Sequence, residues 1–565
     1  MSARKATLRA LVAACNERYI WRALEASPVP ATRRLAIVAT VAVTLLFATS
    51  GGASTGREGG TFRVVEGGLA STIDPALVQY PPELQILDPA CGGLVAFQDK
   101  PLPAGLRIVP DLAESLPRIS RDRKTYTFQI RKDARYSNGK PVTARDFVHA
   151  LERILDPTMK STNVGFFESL VGAQAMLDGR TKMLAGAVAR GRVLTLRLTK
   201  PVADFAIGLA SPLALCAVPR SLPVDPEGAK APLPSPAPYY VAQYVPGERI
   251  VLERNRFYKG SRPQHVDRFV VELGVDIPTA FARVEDGSAD YALGPPTYFV
   301  DNAARLARRH GVNKMQFFVV PAPGARMFTL NASRPLFKAN VKLRQAINFA
   351  VDRSALTREL GPYAGTPTDQ YLPSTMPGHV KARIYPLTGP DLAKARALAK
   401  GNRRSGKAVL YTLDNPVDLA QAEILKQNLA AIGIELEIQR FPIALLFQKL
   451  ATPGEPFDIG RVNWSGFVDP GLLGFLFDGR TIGQPNFGNW SYFDSPTFNR
   501  KLDRASKLPL GAERDRAYGR IDVELSRDAA PAIPYGVPNA FTLVSSRVGC
   551  VVVNPSLDFT AVCLK

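Results

Sequence analysis

Histidine is scarce in this chain. Its 565 residues include four, at positions 149, 265, 310 and 379, too scattered to outline a catalytic cluster. No H-E-x-x-H, G-x-x-x-x-G-K-[ST] or G-x-G-x-x-G motif occurs, which removes the zinc-protease, P-loop and Rossmann classes. Five cysteines, none in C-x-x-C spacing, give no reason to expect zinc, and no cofactor is expected. The letters GASTG (52–56) match a nucleophile elbow, but no strand precedes them, so the match is chance. His149 falls on an amphipathic helical pattern and reads as a boundary residue rather than a base. Basic residues outnumber acidic ones, 71 to 50, for a net charge of +21. Residues 1–50 hold seven of the basic and two of the acidic residues, so the remainder still carries +16. That surplus is spread out rather than gathered into a basic block with interleaved aromatics. Nucleic acid is therefore not an expected partner, and the charge suits a surface beside an anionic membrane or wall.

Long apolar runs are missing too, with one exception. Arg33-Arg34 precede LAIVATVAVTLLFAT (35–49), followed by small residues. A basic flank, a short apolar stretch and a small-residue site read as an export signal within a leader over 1–54. Fifteen residues are short for a span of about 20. Cleavage and anchoring by residues 35–49 both remain open, and so does translation starting further in. Cys15 sits in lipoprotein-like letters without an apolar run before it and is set aside. The chain is expected outside the cytoplasm, where Cys91, Cys216, Cys550 and Cys563 can pair. Three connectivities are available; 91–216 with 550–563 is favoured, against four free thiols.

What the chain does have is ordered α/β scaffold. In KTYTFQIRKDARYSNGKPVTARDFVHALERILDP (124–157), Tyr126, Phe128 and Ile130 alternate with polar residues, the period of a half-buried strand. Asn138-Gly139 makes a turn, and Thr143 with Asp146 forms a capping box. The helix after it carries Phe147, Val148, Leu151, Ile154 and Leu155 on one face and stops at Asp156-Pro157. Further strands are expected at TFRVV (61–65), RVLTLRLTKP (192–201), RIVLERN (249–255), DRFVVEL (267–273) and IELEIQR (434–440). Pro416 starts a helix that Gly433 closes, and FFVVPAPGARMFTLN (317–331) reads as a crossing between lobes. No internal repeat is visible.

Together these segments resemble the family 5 extracellular solute-binding proteins, peptide receptors of ABC importers. The shared pieces include VPDLAESL (109–116), the 126–157 stretch, LTKPVADF (198–205), LERNRFYKG (252–260), FTLNASRPLFKANVKLRQAINFAVDRSAL (328–356), PDLAKARAL (390–398), AEILKQNLAAIGIELEIQRF (422–441) and FDIGRVNWSGFVDP (457–470). The resemblance implies a two-lobed α/β fold of the type II periplasmic-binding-protein kind, with an extra α+β subdomain inserted in lobe one. Lobe one would span 60–320, with the insertion at about 105–190, lobe two 321–530, and residues 531–565 would return to lobe one. Both favoured disulfides would then lie in lobe one. It further implies a monomeric receptor, not an enzyme, that closes on a peptide or other small solute and hands it to permease subunits. An exported hydrolase, or a sensory binding protein on the same scaffold, is the alternative.

The site residues implied are Trp464 in the cleft, with Ser71 after the first strand and Tyr80 beyond it. Dipeptide-binding members carry an aspartate three residues after the tryptophan, for the peptide amine; here that position is Phe467, and Asp469 could serve only in a shifted loop. Their carboxylate-binding arginine corresponds to about Thr412. With both charged anchors missing, an enclosed dipeptide would leave its termini unpaired at a cost of several kcal/mol. A longer peptide, or another solute, is expected.

Overall fold

The computed structural model of the chain describes residues 56–565, leaving out Leu69, Ser71, Gln79, Ala203, Gly466, Phe467, 485–487 and Pro555. The leader and apolar run expected over 1–54, Cys15, Ser71 and Phe467 therefore lie outside the described residues. Among the described residues, no helix is long and apolar enough to cross a membrane.

Two large sheets organise the chain. The first orders its strands Tyr291–Leu293, Thr61–Glu66, Arg268–Glu272, Arg249–Arg254, Tyr239–Val245. Its first three strands run parallel, and hairpin partners complete it. Alternation along Thr61–Glu66 decides what each face buries. Phe62 meets Phe269, which stacks on Phe559 at 5.3 Å. Val65 packs on the other face with Phe281 and Val284 of the helix Ile277–Asp286.

The opening stretch of the insertion folds as its pattern requires. Tyr126, Phe128 and Ile130 are all at most 3 % exposed, and the Thr143 backbone N–H donates to Asp146 Oδ2 at 2.7 Å, capping the helix Ala144–Leu155. That helix covers a four-stranded antiparallel sheet ordered Arg118–Ile119, Thr125–Gln129, Val193–Arg197, Ala187–Arg190. Val193–Arg197 is an inner strand of this sheet and lies just beyond the end near 190 that the resemblance implied for the insertion.

The second sheet orders Phe317–Pro321, Ala532–Leu543, Gly324–Leu330, Ile459–Ser465, Lys407–Leu413, Glu435–Phe441, with Gly365–Pro367 beside Ala532–Leu543. The helix Pro416–Ala430 joins its two parallel neighbours and buries Ala422, Leu425 and Leu429. Gly433 then turns the chain at φ 78°, a conformation glycine adopts without steric cost. Ile434 and Leu436 are buried while Glu435 and Glu437 are exposed, the alternation read from IELEIQR.

Two strands link the sheets. Ala532–Leu543 pairs through residues 532–536 with Gly324–Leu330, and through 539–543 with Phe317–Pro321. Val544 then bridges Tyr291 of the first sheet. The tail beyond it packs Val548, Leu557, Phe559 and Leu564 into the first sheet's core. Cys91 is bonded to Cys216 and Cys550 to Cys563.

Candidate functional site

Strand polarity locates the site. In open α/β sheets, ligands bind outside the carboxyl ends of parallel strands, where loops are free to converge. Lys407–Leu413, Glu435–Phe441 and Ile459–Ser465 are parallel in the second sheet. Ile459–Ser465 runs antiparallel to Gly324–Leu330, and Ser465 pairs with Gly324 at the start of that strand. Gly324 follows directly on the crossing strand Phe317–Pro321, so Ser465 ends at the seam between the sheets. In the first sheet Thr61–Glu66 is parallel to Tyr291–Leu293, which bridges antiparallel to the outgoing Val544. Its carboxyl end, and the loop leaving Glu66, therefore point at the same seam from the other side. Two sets of carboxyl-end loops face each other across a pair of linking strands.

Trp464 stands at this seam, in register with Ala325. It is half-buried, meets Phe475 edge-on at 5.1 Å and lies 4.8 Å from Trp490. It thus packs on the lobe-two core and also keeps accessible surface. Gly324 lets the two strands come this close, because a Cβ there would sit 2.8 Å from the Trp464 carbonyl oxygen. Tyr80 is 63 % exposed, at the start of the helix Pro81–Leu87. Thr412 is a correction: it has no exposed surface, and its Oγ1 lacks a hydrogen-bond partner among the described residues. The strand end that would carry a carboxylate-binding arginine instead buries a small side chain within the sheet.

Asp469 is also unavailable as an amine anchor. Arg514 grips it with Nη1 on Oδ2 at 2.6 Å and Nη2 on Oδ1 at 2.7 Å, and Gly471 N–H donates to Oδ1 as well. Both partners are buried. A bidentate arginine pair leaves that carboxylate little capacity for an incoming ammonium.

Sequence reasoning missed two polar residues at the seam. Arg326 on the crossing strand faces Asn463 in register, one residue before Trp464. Arg326 Nε and Asn463 Oδ1 are buried without hydrogen-bond partners among the described residues, and burial lowers the guanidinium pKa. The available signal was an arginine inside the otherwise apolar GARMFTL. Nearby, Arg461 is paired with Asp418 instead. On the opposite side Glu66 is buried, and burial raises its carboxyl pKa, with Glu83 adding to the effect.

Three of the four histidines have local partners. His149 Nε2 meets the Leu222 carbonyl at 2.8 Å, His265 meets Glu58 and His379 meets the Leu372 carbonyl. Among the described residues no three His, Cys, Asp or Glu side chains could hold a metal ion.

Known proteins agree with this architecture. Residues 107–478 match the model of "Bacterial extracellular solute-binding proteins, family 5 Middle". Heme-binding protein A of Haemophilus influenzae is 26 % identical over 79 % of this chain and 82 % of its own length. The periplasmic oligopeptide-binding protein OppA of Escherichia coli is 24 % identical over 87 % and 90 %. Among solved structures, clavulanic acid biosynthesis oligopeptide binding protein 2 superposes with a TM-score of 0.73 at 26 % identity, over 90 % of this chain and 96 % of that one. An unliganded open form of the murein tripeptide binding protein MppA gives 0.76 at 21 %, over 90 % and 99 %. Two sheets joined by crossing strands, and a family match over most of the folded chain, make this protein a member of the bacterial extracellular solute-binding protein family 5.

Proposed function

We propose that the chain is the substrate-binding receptor of an ABC importer, and that it captures a peptide longer than a dipeptide, or a related small solute, without changing it chemically. The carrying observation is the seam: the carboxyl-end loops of parallel strands in both sheets face it, Trp464 stands at it, and two antiparallel strands join the sheets. A joint of this kind permits hinged closure, in which contacts from both sides favour the closed form once solute is present. Lobe one comprises residues 60–320 with the returning tail 531–565, and lobe two 321–530. Trp464 and Tyr80 contact solute, together with Ser71 and Phe467, and Arg326 offers a cation to a carboxylate or a peptide carbonyl. Binding through backbone polar groups, with water filling unused side-chain space, gives broad selectivity. The chain is exported, with the leader cleaved or retained as an anchor, acts as a monomer, and delivers its cargo to permease subunits.

Peptides of two to six residues titrated into the purified chain by calorimetry, alongside small-angle scattering, test this. Binding of peptides longer than two residues with a fall in radius of gyration is expected. Turnover of the peptide, tight selective dipeptide binding, or no compaction would overturn it.

A further inference from the structure

Lobe one contains a second feature that the receptor reading does not use. A cavity of about 430 Å³, a size typical of small-molecule sites, lies behind the helix Pro81–Leu87. Its lining includes Leu106, which packs with the lobe-two core, and Val468, four residues beyond Trp464. The walls are apolar, with Leu84, Val95, Leu209, Leu213 and Phe559 among them. The polar lining is different in character. It presents four carboxyl groups, Asp88, Asp99, Asp111 and Asp558, around one guanidinium, Arg262.

The carboxyl groups outrun their partners. Arg262 is paired with Asp88, whose side chain keeps 35 % of its surface accessible. Asp111 is 1 % exposed; its Oδ1 accepts from Tyr258 at 2.6 Å, while Oδ2 is buried with no donor among the described residues. Asp558 Oδ1 accepts from the backbone N–H of Thr560 at 3.0 Å and of Ala561 at 3.4 Å, whereas Asp99 Oδ1 has Thr560 Oγ1 at 2.6 Å, a hydroxyl that also lies 2.6 Å from Asp558 Oδ1. A hydroxyl has one proton to give, so one of those carboxyls must supply its own or face its neighbour's charge. Burial, then Asp99, accordingly holds the Asp558 carboxyl up at about 6. Among the described residues these groups do not form a metal-binding set.

We infer that this cavity receives a cationic group on an apolar stem, an alkylammonium or alkylguanidinium carried by the solute, whose N–H donors satisfy Asp111 Oδ2 and the Asp99–Asp558 pair. The link to the solute rests on the receptor reading, since Val468 of the lining follows Trp464 by four residues. The cavity itself is tested separately with n-hexylammonium and 1-hexanol, which share a stem and differ in charge, titrated calorimetrically into the full chain. Ammonium binding at least tenfold tighter than that of the alcohol is expected. Asp111→Asn, which keeps an oxygen for Tyr258, should weaken the ammonium at least fivefold and leave the alcohol unchanged. Ser211→Phe, which adds a ring to the lining and removes no carboxyl, should abolish both. Equal affinities, or ammonium binding indifferent to both substitutions, would overturn the inference, as would no ammonium binding to a chain that binds peptides. Ammonium binding by a chain that binds no peptide would instead sink the peptide form of the receptor reading alone.

Discussion

Replacing Arg153 by methionine should cost more than any other single change on the insertion's capped helix. Arg153 Nη2 and Nη1 hold Asp74 Oδ2 and Oδ1 at 2.7 and 3.1 Å, and Nε donates to the Pro223 carbonyl at 2.9 Å. The two side chains are 1 % and 0 % exposed. Methionine keeps an apolar stem but leaves Asp74 with a single donor in the described structure, the Ala76 N–H at 3.1 Å. Removing one partner of a buried pair typically costs about 3–5 kcal/mol, because the stranded charge loses its compensation. Urea unfolding at pH 7 should show a loss in that range. Arg153→Met combined with Asp74→Asn should recover at least half of it, since no buried charge then remains. A double-mutant cycle isolates the coupling. The consequence reaches the seam, because Asp74 lies in the segment leading from the first strand to Tyr80. Solute affinity should therefore fall with Arg153→Met and return with the double variant. A single-variant loss below about 1 kcal/mol, or a double variant no more stable than the single, would refute the reasoning.

Other perturbations have distinct readouts. Trp464→Ala should weaken solute binding about tenfold, or about 1.4 kcal/mol, and cost a further 1–3 kcal/mol or so of stability, because the ring also packs on Phe475 and Trp490; unchanged calorimetric affinity would remove it from the site. Burial raises the Asp522 carboxyl to about 8 against the backbone donors of Tyr371 and Leu372. The folded form thus holds a proton that the unfolded chain releases near its ordinary value, so this group's stabilising contribution is full in acid and declines as pH rises from about 4 to 8. Asp522→Asn should flatten that part of the thermal-stability profile, and an unchanged slope would count against it. Replacing Cys91 and Cys216 by serine opens a loop of 125 residues and should cost about 4–5 kcal/mol on the chain-entropy account, read by denaturant unfolding; a loss under about 1 kcal/mol would contradict the loop argument.

Much of the scaffold was legible in the residues themselves. Alternation at Tyr126–Ile130 and Ile434–Leu436, the Thr143–Asp146 cap and the Gly433 turn are written in neighbours two to four positions apart, and the structure contains them. The order of family segments carried the architecture, and the pairing favoured for the four cysteines is the one formed. Which polar groups meet was not legible. Asp469 reads as a spare carboxylate until Arg514, 45 residues away, is seen to clasp it. Thr412 reads as a site position until the sheet closes over it. Asp111 and Tyr258 are 147 residues apart, and Asp99 and Thr560 are 461 apart. Helix and strand periods are short-range consequences of backbone geometry, so a linear chain displays them. Desolvation and charge pairing depend on which distant segments exclude water together, and only the tertiary structure decides that.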